Sequence, residues 1–284
     1  MLLLWKPVVQ RLMSETKQRL KDHNKLDGYV AIFLLSDDRA SEVYVTLKSK
    51  YAKKLGIYAD IKFGKDRDVD EIQEELMQCN NDLACLGILI QLPLADRLQT
   101  EQYRLLEMIS PDKDIDGLTS RLFGQAWFGR EFLGATPQAA LHILDHYDMW
   151  DVLGKVCMVI SQSNLIGKPL ALELMKRGAT VISTNSKTPA EMFQEWFDRS
   201  EYIFAATGVK HLIHPDLVNE NSNIKNKVLM DIGRWSDEDG PHGDVDRQRF
   251  ADKVRGVTPV PGGVWPVTVA TLFHNIVKLH WFSK

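Results

Sequence analysis

The stretch Val156-Cys-Met-Val-Ile160-Ser161-Gln162-Ser163-Asn-Leu-Ile166-Gly167-Lys-Pro169 decides the fold. Five apolar residues in a row read as a buried strand. A short polar loop follows, and Gly167 and Pro169 open a helix expected over Ile166–Arg177. A strand running into a helix through a tight loop is the first half of a β-α-β unit, and the unit repeats downstream. Strands are expected at Thr180–Thr184, Ile203–Ala206 and Val228–Ile232, separated by helical or loop segments. This is the rhythm of a doubly wound nucleotide-binding sheet, although the loop lacks G-x-G-x-x-G. Backbone amides at the start of such a helix receive phosphate.

The alternation extends toward both ends. Val8, Leu12, Thr16 and Leu20 share one helical face. Tyr29–Leu35 reads as a buried strand, and Asp37 and Asp38 precede a helix expected over Ser41–Leu55. Gly56 stands where a glycine ends a helix. Cys85–Leu92 reads as a second buried strand stopped by Pro93. Thr136-Pro137 marks a boundary, followed by a helix over Gln138–Tyr147. The Pro- and Gly-rich segment Thr258–Pro266 leads into a last helix over Val267–His280. The reading is an α/β protein with parallel sheets, divided as residues 1–137 plus 265–284, and residues 138–264.

Composition narrows the function. Across 284 residues the net charge is −3, so no basic field exists for nucleic acid or an anionic membrane. No apolar run approaches the ~18 residues of a membrane span. The three cysteines, Cys79, Cys85 and Cys157, form no C-x-x-C pair, which favours a reducing compartment and a cytoplasmic location. Among the eight histidines, His142 and His146 lie four apart but lack a companion ligand motif, so no metal is expected.

Tyr44 and Lys48 are four apart on the expected helix and project from one face. Their segment, Ser41-Glu-Val-Tyr44-Val-Thr-Leu-Lys48-Ser-Lys50, resembles the S-x-x-Y-V-x-x-K-x-K pattern of the bifunctional methylenetetrahydrofolate dehydrogenase/cyclohydrolase family. Further segments match in the same order. Leu89-Ile-Gln91-Leu92-Pro93-Leu resembles V-Q-L-P-L, and Pro111-Asp-Lys113-Asp-Ile-Asp116-Gly117 resembles P-x-K-D-V-D-G. Thr258-Pro-Val-Pro261-Gly262-Gly263-Val-Trp265-Pro266-Val-Thr268 resembles T-P-V-P-G-G-V-G-P-M-T. The matches span nearly the whole chain.

The resemblance implies an N-terminal folate-binding domain, a Rossmann-like nucleotide domain and a last helix returning to the first domain. It implies oxidation of methylenetetrahydrofolate with hydride passed to NADP, with NAD as the alternative acceptor. Hydrolysis of the methenyl product to formyltetrahydrofolate follows. Lys48 is then the acid/base and Gln91 its hydrogen-bond partner. Tyr44 stacks on the folate ring, and Leu92, Pro261, Gly262 and Gly263 line the substrate. A carboxylate at Asp116 accepts the two adjacent pterin N–H donors. Lysine is a poor base at its reference pKa of ~10.4, so this role needs burial to lower it.

By the same resemblance Ser161, Gln162, Ser163 and Gly167 take the cofactor phosphates. Ser186 and Lys187 meet the adenosine ribose, and Thr207, Gly208 and Ile232 lie at the nicotinamide end. No acidic residue ends the Thr180–Thr184 strand, which favours NADP. A homodimer is implied. The chain departs from the family pattern at several positions. Ser36, Ser161 and Trp265 stand for glycine, Gln162 for a frequent arginine, Asn185 for histidine and Ala135 for cysteine. These departures leave open a dehydrogenase with weakened hydrolysis, and a non-catalytic binding descendant.

Overall fold

Continuous apolar runs fold as strands buried on both faces, and amphipathic segments fold as the helices that cover them. The computed structural model describes residues 1–24, 27–129, 134–217, 223–238, 240–250 and 252–281. Its elements run α1 (Trp5–Asp22), β1 (Tyr29–Leu34), α2 (Arg39–Leu55), β2 (Tyr58–Phe63), α3 (Val69–Asn81) and β3 (Cys85–Gln91). Then come α4 (Gln102–Glu107), α5 (Ser120–Trp127), α6 (Ala135–His146), β4 (Val156–Ile160), α7 (Gly167–Lys176), β5 (Thr180–Thr184) and α8 (Ala190–Arg199). The chain continues through β6 (Tyr202–Ala205), β7 (Val228–Asp231), β8 (Trp235–Asp237), β9 (Gly240–His242), α9 (Arg247–Phe250), β10 (Gly256–Val257) and α10 (Val264–Trp281).

Two compact units result. One holds Gln10–Ala135 with Val269–Lys284, built on a parallel sheet of order β2-β1-β3. Its core joins Phe33, Leu35, Ile72, Leu76, Ile88 and Ile90. The last helix from Val269 onward belongs here: Asn275 Nδ2 donates to Ile115 O at 2.8 Å, and a His280 ring nitrogen lies 2.9 Å from Leu86 O. The other unit holds Met1–Val9 with Thr136–Thr268 and a parallel sheet of order β10-β7-β6-β4-β5. Met158, Ile160, Phe197, Ile203, Leu229 and Phe250 lie in its core.

Several boundaries differ from the sequence reading, each for a local reason. Residues Met1–Val9 group with the five-stranded sheet because Leu3 N donates to Val257 O (2.9 Å) and Val257 N to Met1 O (3.0 Å). Helix α2 starts at Arg39, before Ser41, since Asp38 caps it: the Asp38 carboxylate accepts from Ser41 N at 2.7 Å. Gly56 ends that helix in the left-handed region at φ 86°. Helix α10 begins at Val264 rather than Val267, so Trp265 lies in its first turn and is half-buried. Pro266 is tolerated there because first-turn N–H groups have no intrahelical acceptor. Among the described residues no helix is long and apolar enough to cross a membrane.

Candidate active site

The C-terminal ends of parallel strands gather the side chains singled out from sequence, in each unit separately. In the first unit, α2 carries Tyr44 and Lys48 one turn apart, and β3 ends at Gln91. Lys48 is only 6% exposed, and its Nζ donates to Gln91 Oε1 at 2.7 Å. The Gln91 amide is fixed in turn, because its Nε2 donates to Leu92 O at 2.7 Å. That bond assigns Oε1 as the face presented to the lysine. Ser41 Oγ also reaches Leu92 O, at 3.5 Å, tying the start of α2 to the end of β3. Tyr44 is half-buried on the same helix.

Burial drives the Lys48 pKa below its ordinary value, and the Asp116 carboxylate opposes that shift. Asp116 is pushed up by burial and drawn back by Lys48. The pair places a cation of reduced basicity beside an acid held by the loop after Asp114. Sequence reasoning overlooked Asp114, which is 1% exposed and accepts from Gly117 N and Thr119 N, both at 2.8 Å. Burial pushes its carboxyl up to about 6. The D-x-D spacing was visible in sequence. That its first member folds the loop presenting the second needed coordinates.

In the other unit, the chain passes from β4 outward to β5, then crosses back to β6 on the opposite side of β4. The crevice beyond β4 and β6 is therefore the topological switch point where nucleotides bind. Ser161, Gln162 and Ser163 follow β4. Ser163 Oγ accepts from Ile166 N (3.2 Å) and Gly167 N (3.3 Å), and Ser161 Oγ donates to Ser163 Oγ at 3.1 Å. A Cβ on Gly167 would overlap the Ser161 carbonyl, so only glycine lets α7 start this close to β4. Asn185 Nδ2 donates to Gln162 Oε1 at 2.7 Å, and Asn185 Oδ1 accepts from Lys187 N at 2.8 Å. The substituents at the arginine and histidine positions thus pair with each other. Ser186 and Lys187 are exposed in the turn after β5.

Thr207 and Gly208 follow β6, with Gly208 at φ 71°. Ile232, just past β7, is buried and its N–H donates to Ala205 O at 2.8 Å. Pro261, Gly262 and Gly263 form the turn before α10, also in this unit. Gly262 (φ 107°) and Gly263 (φ 58°) both adopt the left-handed region, and a Cβ on Gly263 would crowd Pro259 O.

Comparison with known proteins decides the family. Residues 3–116 match the model of the tetrahydrofolate dehydrogenase/cyclohydrolase catalytic domain, and residues 134–283 match that of its NAD(P)-binding domain. The chain belongs to the tetrahydrofolate dehydrogenase/cyclohydrolase family. The bifunctional protein FolD of Lactobacillus helveticus is 33% identical over 269 residues, covering 94% of this chain and 92% of that protein. Among solved structures, the bifunctional FolD enzyme from Campylobacter jejuni is 31% identical, with a TM-score of 0.89 and coverage of 98% of each chain. The Trypanosoma brucei dehydrogenase-cyclohydrolase, solved with NADP cofactor and inhibitor, is 25% identical, with a TM-score of 0.84 over 96% of this chain and 93% of that one. Membership in this family accounts for the α/β fold in two units and for α10 closing back on the first sheet.

Proposed function

We propose that this protein oxidises methylenetetrahydrofolate to the methenyl form with hydride transfer to NADP, and hydrolyses the methenyl form to formyltetrahydrofolate. The observation that carries the reading is the buried Lys48–Gln91 hydrogen bond of 2.7 Å beside Asp116. Hydrolysis of a cationic methenyl bridge needs a base for the attacking water and an acid for the departing ring nitrogen. Lys48 Nζ performs both in turn. It takes a proton as water adds to the methenyl carbon and returns it as the ring opens. Burial makes the neutral amine accessible nearer neutral pH. Gln91 Oε1 accepts an Nζ proton and so holds the nitrogen in one direction.

Tyr44 supplies a ring face for the folate, and Asp116 accepts the paired pterin donors. A buried site built for such a pair rejects analogues that lack it. Leu92 contributes main-chain surface to substrate binding. Residues 10–135 with 269–284 act as the folate-binding catalytic domain, and residues 1–9 with 136–268 as the nucleotide domain.

The residues at the switch point fit a dinucleotide: a glycine-cleared helix start after β4 faces a left-handed glycine turn after β6. NADP, when bound, supplies the hydride acceptor. Ser161, Gln162, Ser163 and Gly167 hold its phosphates, Ser186 and Lys187 its ribose phosphate, and Thr207, Gly208 and Ile232 the nicotinamide end. A lysine gives a point charge rather than the bidentate fork of arginine, so the preference for NADP over NAD is modest. The protein acts in the cytoplasm as a homodimer.

The test is a spectrophotometric assay with methylenetetrahydrofolate and each nicotinamide cofactor, followed by methenyl hydrolysis without cofactor. Turnover in both is expected, with NADP the better acceptor. Dehydrogenation without hydrolysis would support the reading with a weakened cyclohydrolase. Absence of both would leave a non-catalytic binding protein.

A further inference from the structure

Two buried acids lie outside the folate site. Asp231 ends β7 and Asp244 follows β9, and they are 1% and 0% exposed. They interlock. Asp231 Oδ1 accepts from Asp244 N and Oδ2 from Val245 N, each at 3.0 Å. Asp231 N donates to Thr258 Oγ1 at 2.7 Å, which anchors the acid from behind. Asp244 then reaches the loop after β6. Its Oδ2 accepts from Thr207 N (2.6 Å) and Thr207 Oγ1 (2.9 Å), and its Oδ1 from Val209 N (3.1 Å). The intervening segments lock together as well: His211 N donates to Gly243 O and Ile213 N to Asp244 O.

Two glycines make room for this arrangement. A Cβ on Gly233 would overlap the Asp244 carboxylate, and a Cβ on Gly243 would overlap that of Asp231. Each acid thus packs against the glycine beside the other. Burial pushes the Asp231 carboxyl up to about 7 and raises that of Asp244, against the pull of the backbone donors. Burying two carboxylates carries a desolvation cost, and such groups concentrate at functional sites. The loop they hold is itself at the surface: Thr207 and Val209 are exposed and Gly208 is half-buried. It borders the switch-point crevice rather than the core.

Resting on the dehydrogenase reading above, we infer that Asp244, fixed by Asp231, is a positioning residue that sets the Thr207–Val209 loop against the nicotinamide. It is required for hydride transfer and dispensable for methenyl hydrolysis. The carboxylate touches no reacting atom. It acts by holding Gly208 in its left-handed turn through the amides on either side.

The reaction pair separates a local role from a structural one, because hydrolysis needs no nicotinamide. In Asp244→Asn one acceptor oxygen becomes a donor facing N–H groups. Dehydrogenase kcat should fall by about 10²-fold, the scale of a small misplacement of reactants. Hydrolysis measured without cofactor in the same preparation should stay within about twofold, well inside the cost of one ordinary hydrogen bond. Calorimetric titration should show NADP binding weakened in parallel. Thr207→Val, at an exposed position, removes the hydroxyl's bond to Asp244 Oδ2 (2.9 Å) and the one its oxygen accepts from Val209 N (3.2 Å), and keeps the bond from Thr207 N. It should lower dehydrogenase kcat/KM by about two- to tenfold, again sparing hydrolysis. Parallel loss of both reactions in Asp244→Asn, or unchanged dehydrogenase kinetics and NADP binding in either variant, would overturn the inference. A wild-type protein without dehydrogenase activity would instead defeat the underlying reading.

Discussion

Gln91→Glu tests how the site tunes its lysine. The substitution keeps the side chain's length and places a carboxylate oxygen where Oε1 now accepts from Lys48 Nζ, 2.7 Å away. A unit charge at that distance favours the ammonium by ~1.5 kcal/mol with bulk-water screening and ~6 kcal/mol at an effective dielectric constant of ~20. These limits correspond to a rise of about 1 to 4 pKa units. Shifts of ~1–3 units are usual for closely paired ions. The neutral amine is the active base, so each unit lowers its fraction tenfold at a pH below the pKa. Methenyl hydrolysis at neutral pH should fall by about 10- to 10³-fold. The alkaline rise of the rate should move to higher pH by the same number of units, so that activity returns as pH increases. Stopped-flow absorbance of the methenyl form, corrected for uncatalysed opening, measures this across pH. An unchanged profile, or a loss that no pH restores, would refute the argument that Gln91 acts through the ionisation of Lys48.

The remaining predictions concern other parts of the molecule. Lys187→Ala should lower kcat/KM for NADP by about tenfold, the effect of one exposed charge-assisted bond, and leave that for NAD unchanged. Equal losses with both cofactors would remove Lys187 from 2′-phosphate recognition. Lys227 is 2% exposed, and its Nζ donates to Phe197 O, Asp198 O and Ser200 O at 2.7–2.8 Å, satisfying the end of α8. Lys227→Met strands those carbonyls and should cost ~2–4 kcal/mol, seen as a Tm lower by about 5–15 °C. An unaltered melt would show that water replaces the ammonium there.

The fold was legible in sequence wherever burial leaves a composition signal. Strands β1, β3, β4 and β7 are nearly continuous apolar runs, and those runs match the folded strands within a residue or two. Strand β2 leaves no such signal because it is a sheet edge with Tyr58 and Phe63 exposed, so neither alternation nor a buried run marks it. The β8–β9 hairpin is too short to show a period. At the folate site, the pairing of Lys48 with Gln91 follows from motifs on neighbouring elements, α2 and β3. The acids Asp114, Asp231 and Asp244 were visible only as members of motif strings. Their partners are mainly backbone N–H groups, which every residue but proline carries, so little in the side-chain pattern announces them. The bond from Asp244 to Thr207 spans 37 positions, and nothing in either segment alone points to the other.

The central claim is that Lys48 is the acid/base of methenyl hydrolysis, and Lys48→Met tests it most directly. Methionine preserves the unbranched shape of a residue only 6% exposed in the native site and removes its ionisable nitrogen. Single-turnover hydrolysis of methenyltetrahydrofolate, with folate affinity measured in parallel, separates chemistry from binding. The account predicts a rate lowered by ~10²–10⁴-fold with affinity changed far less. Hydrolysis at the native rate in the variant would contradict it.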